Sequence, residues 1–347
     1  EILDKILTNK EFKRPEKIKS FEIKVYEKSD YQDLLSLYNR VFPGYMSDKL
    51  WAWKYITNPH GKSYTFLIKD KEEVISAYSV AQKSFSIFGD LYPCVQSMDT
   101  MTDLDFRGLG LSTYLAKLVY EFARIKRNYF VYGFPNKISR HLIFNKLNWE
   151  FFGKKNFITK FIPKKIPTKT ENHKYEIKKI EKFEKNFNLF WERYKSKFPI
   201  IIEKNVQYLN WRFTNHPSEK YYEYLMLDKE NEEIRAFFVL KKYKEKSGDT
   251  SGHIIDFMMG SDSNSEKIDF FKNIENFALQ KFKGDCSIIS FWMPDEELRT
   301  LALNKLGYFI REKKKFFGYK ILRSAKELSI LKSPNNWYIT MANSDVF

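Results

Sequence analysis

The chain has 347 residues, 43% of them hydrophobic and 30% charged, with a formal net charge of +16. That length allows two compact units, each with its own core, and no run is long and apolar enough for a membrane span. Two distant cysteines, Cys94 and Cys286, exclude a disulfide framework and a cysteine-built zinc site; they fit a reducing, cytoplasmic setting as small buried residues. The positive charge suits an anionic ligand without choosing among nucleotide, acidic glycan, nucleic acid and lipid surface.

Taken in chain order, residues 1–20 are polar and Lys-rich, are interrupted by Pro15, and read as an arm. Phe21 to Tyr26 alternates as a strand does. Ser29 or Asp30 then opens a helix with Leu34, Leu35, Leu37, Tyr38 and Val41 facing inward, ended by Pro43-Gly44. A short helix holds Leu50, Trp51, Trp53 and Tyr55, whose rings read as core. Tyr64 to Ile68 and Val74 to Val80 form a hairpin, and a second strand pair crosses Phe85 to Val95 with its turn at Gly89-Asp90.

Gln96 to Leu118 joins a strand-like run, a glycine turn and an amphipathic helix without a spacer, with Leu111, Tyr114, Leu115, Leu118 and Val119 at helical spacing. Its centre is Arg107-Gly108-Leu109-Gly110-Leu111-Ser112. Two glycines let the backbone close tightly, and unpaired N–H groups at the helix start suit a pyrophosphate. Next come Tyr132-Gly-Phe-Pro-Asn136 and Lys146-Leu-Asn-Trp149, and then 163–174, a Pro- and Lys-bearing linker.

Beyond the linker the pattern returns. Trp53-Lys-Tyr-Ile-Thr-Asn-Pro59 is echoed by Trp211-Arg-Phe-Thr-Asn-His-Pro217, and Phe66 to Ala77 by Tyr224 to Ala236; Trp211 lies 158 residues after Trp53 and Tyr224 158 after Phe66. Self-similarity at this scale predicts duplication of one fold. The copies differ at the loop, where the second has Met258-Met-Gly-Ser-Asp-Ser-Asn-Ser-Glu-Lys267, with one glycine, two acids and no arginine. One cofactor site is therefore expected, in the first half.

The segment from Arg107 to Ser112 resembles the acetyl-CoA loop of the GCN5-related N-acetyltransferase (GNAT) superfamily, whose pattern is Arg/Gln, two residues, Gly, one residue, then Gly or Ala. Arg107, Gly110 and Ser112 fill those places, Ser112 being a small departure. Asn136 and the turns Lys146-Leu-Asn-Trp149 and Asn304-Lys-Leu-Gly-Tyr308 resemble later parts of the same fold. The resemblance implies an α/β fold built twice, each copy a mixed, mostly antiparallel sheet flanked by helices. It implies a GNAT domain over 21–162, a linker over 163–174, a degenerate copy over 175–325 and a C-terminal tail over 326–347.

Carried over from the family, acetyl-CoA is the donor and no metal is needed. The backbone of Thr100, Met101 and Thr102 is expected to meet pantetheine and oxyanion, and Arg107, Gly108, Leu109, Gly110, Leu111 and Ser112 to hold the pyrophosphate. Asn136 reads as a cofactor contact or as the cap of a helix from Ile138. Asp99, the one carboxylate inside the strand from Val95 to Thr102, is the candidate base for the amine, with a bonded structural carboxylate as its other reading. Phe144 stands where the family often has a proton-donating tyrosine; either no acid is required or another hydroxyl serves, with Tyr132, Ser139 and Tyr114 in reach and Tyr132 the choice among them. The acceptor expected is the amine of a bulky small molecule or glycan precursor, such as an amino sugar. Fem-type transfer from aminoacyl-tRNA and a catalytically dead binding protein stay open, the Arg107 loop speaking against the former. The tail's Asp345 is a further candidate to reach a cleft.

Overall fold

A computed structural model describes residues 1–42, 44, 46–166, 174–245 and 247–344. Most of the expected linker, the helix stop at Pro43, and Asp345 therefore lie outside the described residues. The chain divides into two compact units, one of Glu1–Phe85, Tyr92–Lys154 and Lys315–Ser329, the other of Ser86–Leu91, Lys155–Lys314 and Ile330–Phe347.

In the first unit, α1 (Ile2–Thr8) precedes β1 (Glu22–Val25) and α2 (Tyr31–Val41). The start of α2 is fixed by Asp30 Oδ2, which accepts from the Glu27 backbone N–H at 2.9 Å. Leu34 and Leu37, one turn apart, are fully buried. Next, α3 (Asp48–Trp51), capped by Ser47 Oγ, runs into a wide turn over Ala52–Ile56. Strands β2 (Tyr64–Asp70), β3 (Glu73–Ile87) and β4 (Asp90–Thr102) follow, then α4 (Leu111–Ile125), β5 (Phe130–Gly133) and β6 (Glu150–Phe161). The sheet order is β1-β2-β3-β4-β5, with β4 and β5 parallel and Gly318–Ile321 antiparallel to β5 on its far side. One core lies under α4, from which Leu111, Leu115, Leu118 and Val119 point inward; the other lies under α2 and α3.

The N-terminal residues are not a free arm. Ile6 and Ile18 are 2% and 1% exposed within the α4 core, and Tyr114 donates its hydroxyl to Phe12 O at 2.9 Å. Ile2, Leu3, Ile6 and Leu7 sit at helical spacing inside an otherwise polar run, and burying such side chains is worth about 1.5–3 kcal/mol each.

The second unit repeats the element order. It holds β7 (Tyr175–Ile180), α5 (Phe187–Tyr194), β8 (Ile200–Ile202), α6 (Val206–Leu209) with a wide turn over Asn210–Thr214, β9 (Tyr222–Asp228), β10 (Ile234–Lys244), β11 (Thr250–Met259), α7 (Asn264–Phe282), β12 (Ile288–Phe291), α8 (Glu296–Lys305), β13 (Phe309–Ile321) and β14 (Trp337–Tyr338). Its sheet order is β7-β9-β10-β11-β12, with β11 and β12 parallel and Ile158–Phe161 of β6 antiparallel to β12. The aligned turns agree in backbone detail: Asn148 and Gly307 both have left-handed φ, +53 and +73, and asparagine is the non-glycine residue that tolerates that region best.

The expected contiguous domains, 21–162 and 175–325, are corrected in one respect. Strands β6 and β13, 12 and 13 residues long, each divide between the units, so the first unit takes in Lys315–Ser329 and the second takes in Lys155–Lys314 beside the short Ser86–Leu91. Strands of that length exceed what one sheet usually uses.

Candidate active site

The end of β4 and the start of α4 are tied by short polar bonds. Thr102 Oγ1 lies 2.9 Å from Ser76 Oγ and 2.7 Å from Ser112 Oγ, Ser76 also donates to Met101 O, and Arg107 Nε donates to Thr102 O. The connection between them turns at Gly108 and Gly110, with φ of +83° and +80°. A side chain at either would be strained, yet nothing lies within 4 Å of where its Cβ would be. The loop is therefore open on its glycine side. Gly110 caps α4 without a side-chain bond to the first turn, so a positive helix end faces that space. Leu109 and Leu111 pack into the core and anchor the loop from behind.

Beside the loop, parallel pairing between β4 and β5 is recorded for Val95–Val131 and Gln96–Tyr132, while β4 runs on to Thr102. The part of β4 that carries Thr100, Met101 and Thr102 thus lies past its register with β5. Met101 is fully buried, which leaves its backbone for any contact. Under this stretch Tyr78 shares its hydroxyl with Ser97 Oγ at 2.7 Å and Tyr120 at 2.6 Å; burial pushes Tyr78 up to about 12, so it stays protonated.

Asp99 sits on β4 and is 8% exposed. Lys54 Nζ approaches its carboxylate at 2.8 and 3.0 Å, and the Tyr55 hydroxyl donates to its Oδ2. Both partners come from the wide turn after α3, which places successive residues toward one carboxylate. Tyr55 stacks on Trp51, ring centroids 4.1 Å apart, and the two help line a recess of about 560 Å³ with Tyr26, Tyr31, Lys28 and Lys62. That volume is in the range of small-molecule sites.

Of the residues named from sequence, the structure brings Thr102, Arg107, Gly108, Gly110 and Ser112 into one loop and sets Asp99 three residues upstream. Asn136 is exposed and caps a turn, its Oδ1 accepting from the N–H groups of Ile138 and Ser139 at 2.9 Å each. Tyr132 is fully buried, packed edge-on against Phe85, and donates its hydroxyl to Gln96 Oε1 at 3.1 Å; a hydroxyl so enclosed has no solvent-filled cleft to serve. Phe144 packs on Phe151. Lys54 and Tyr55 were not among the expected site residues. Their signal is the comparison of repeats, in which Lys54 aligns with Arg212 and Tyr55 with Phe213, so a basic group is kept and one hydroxyl is lost.

Cys94 and Cys286 are buried, and burial raises both thiols, Cys286 to about 11 and Cys94 well above its ordinary value. Neither is an activated nucleophile. Among the described residues no group of three or more His, Cys, Asp or Glu side chains stands together as a metal site, and no helix is long and apolar enough to cross a membrane.

Residues 22–152 match the family model of the acetyltransferase (GNAT) domain. Among solved structures, the chain is similar to a GCN5-related N-acetyltransferase from Anabaena variabilis ATCC 29413, at 13% identity and TM-score 0.66 over 87% of this chain and 73% of that one. A probable N-acyltransferase of unknown function from Enterococcus faecalis V583 gives 11% identity and TM-score 0.67 over the same shares. N-myristoyltransferase of Saccharomyces cerevisiae with bound myristoyl-CoA gives 12% identity and TM-score 0.57 over 88% and 79%. No curated protein matches the chain in sequence.

Proposed function

We propose that this chain, a GNAT protein over residues 22–152, transfers an acyl group, acetyl in the simplest case, from coenzyme A to an amine. The observation that carries the reading is the loop from Arg107 to Ser112, whose two left-handed glycines leave open space at an uncapped helix start. Pyrophosphate would accept hydrogen bonds from that loop, with Arg107 adding charge, and the pantetheine arm would run along β4 beyond Gln96. The amine nitrogen attacks the thioester carbonyl, a C–N bond forms, the tetrahedral oxyanion collapses and the C–S bond breaks. A backbone N–H near Thr100–Thr102 is suited to the oxyanion.

Asp99 receives the proton that the amine loses, directly or through one water. Lys54 balances its charge, and Tyr55, which touches both Asp99 and the recess, orients the carboxylate. The CoA thiolate then leaves without a dedicated acid, water sufficing to protonate it. The aromatic recess is the candidate holder for the body of the acceptor, in keeping with a ring-bearing amine such as an amino sugar. The second unit is a copy whose cofactor loop has been lost. The intact Arg107 loop disfavours Fem-type use of aminoacyl-tRNA.

Calorimetric titration of acetyl-CoA and desulfo-CoA against wild type and Gly110→Glu tests the donor. Binding by wild type alone supports the reading, whereas equal binding or none overturns it. Because one structural neighbour binds myristoyl-CoA, a series of acyl lengths belongs in the same titration and decides whether acetyl is the preferred group.

A further inference from the structure

The lower half of α4 borders a second cavity, of about 300 Å³, whose walls include Lys117, Tyr120, Lys146, Asn148 and Lys320. It is not part of the cofactor loop. Its α4 residues begin six positions after Leu111 and run to Arg124, which at 1.5 Å per residue puts its middle on the order of 15 Å down the helix. Lys320 lies in Gly318–Ile321, which pairs along β5 with Lys320 opposite Val131, toward the strand end opposite the loop.

The charges around this cavity are not balanced: four cations, Lys117, Arg124, Lys146 and Lys320, line it with two carboxylates, Glu11 and Glu121. Glu121 is taken by Arg124 in a two-pronged pair at 2.6 and 2.7 Å. Among the described residues no carboxylate lies within ion-pair distance of Lys117, Lys146 or Lys320; Lys320 Nζ donates only to Leu147 O, at 2.9 Å. Burial, and then the charge of Lys117, lower the Lys320 ammonium from its ordinary value. Three like charges converging on one concavity, one of them partly desolvated, is an arrangement the fold makes less stable and an anion would relieve. The cavity matches a phosphate group with a small organic body, and the ammonium groups supply donors from three elements.

We propose that the cavity between α4, the turn at Asn148 and the strand of Lys320 is a second anion site, for a phosphomonoester or free phosphate, distinct from the cofactor loop. The test removes the loop first. In a Gly110→Glu background, inorganic phosphate is titrated by calorimetry and by thermal unfolding at fixed ionic strength, maintained with chloride. Phosphate is expected to bind and raise Tm, and Lys117→Ala and Lys146→Ala, both exposed and outside the core, each to weaken binding by roughly fivefold or more. Lys71→Ala, on the exposed β2–β3 turn, is the control for net charge. Absence of binding, or equal weakening by the Lys71 control, overturns the site. Glucose 6-phosphate run beside phosphate tells the sources apart: tighter binding assigns a phosphomonoester, and equal or weaker binding assigns free phosphate.

Discussion

The two units place the same elements at the same stations and treat the station after the long hairpin in opposite ways. In the first, Gly108 and Gly110 hold empty space before α4. In the second, the turn before α7 is filled: a Cβ on Gly260 would lie 2.4 Å from the Tyr194 ring and 2.6 Å from Phe190, and Glu266 in the first helical turn accepts from Ser261. Asp262 pairs with Lys197. Rings and carboxylates occupy what an anion would need. The acid differs too. Asp99 holds Lys54, whose side chain is 14% exposed, and the recess-lining Tyr55, whereas Asp256 holds the fully buried Lys204 at 2.5 Å and Thr340 at 2.8 Å. Arg212, aligned with Lys54, donates to Ala342 O and Ser344 O, so the unit's own C-terminal segment fills the station. One frame thus carries an open station in the first unit and a packed one in the second.

That contrast can be broken most forcefully at Asp256. Asp256→Ala leaves the Lys204 ammonium buried without its partner and should cost about 3–5 kcal/mol of unfolding free energy; a loss under about 1 kcal/mol in chemical denaturation would show that the second station is not the packed one described. Asp99→Ala should cost less, because the Lys54 ammonium it strands keeps 14% of its side chain in water against 1% for Lys204. The loop is next: Gly110→Glu adds both φ strain and a repelling carboxylate, and is expected to weaken CoA binding more than ~100-fold by calorimetry.

A smaller change makes the first unit resemble the second. Tyr55→Phe should lower kcat roughly 10- to 100-fold with stability nearly unchanged, and unaltered turnover would remove Tyr55 from the mechanism. The smallest effect is expected at the aligned turns, where Asn148→Gly should stabilise by about 0.5–1 kcal/mol and Gly307→Asn should do the reverse. Thermal melts of both variants check the pair, and equal signs would refute the alignment of these turns.

Much of this was readable from sequence where periodicity or backbone chemistry is local. The inward face of α4, the Gly89 turn and the loop glycines announce themselves within a few residues, because only certain residue types accept those conformations. Lys54 and Tyr55 were hidden by their neighbours: beside Trp51 and Trp53 a tyrosine reads as core, and it is core, with only its hydroxyl committed to Asp99. Tyr132 misled for the converse reason, since nothing local tells which face of β5 a tyrosine takes. The first twenty residues were read from their lysines, although four aliphatic side chains at helical spacing decided their fate. The split of β6 and β13 between units leaves no mark in composition, because both halves of each strand are equally fit for a sheet.

The inclusion of Lys315–Ser329 in the first unit bears on how the chain is made. A ribosome delivers residues 1–154 long before residue 315, so the first sheet must wait with the far edge of β5 bare while roughly half the chain is still to be synthesised. An uncovered strand edge is a template for wrong pairing, and a contact this distant in sequence closes slowly. Translation speed through the second half thus sets how long the first unit spends unfinished.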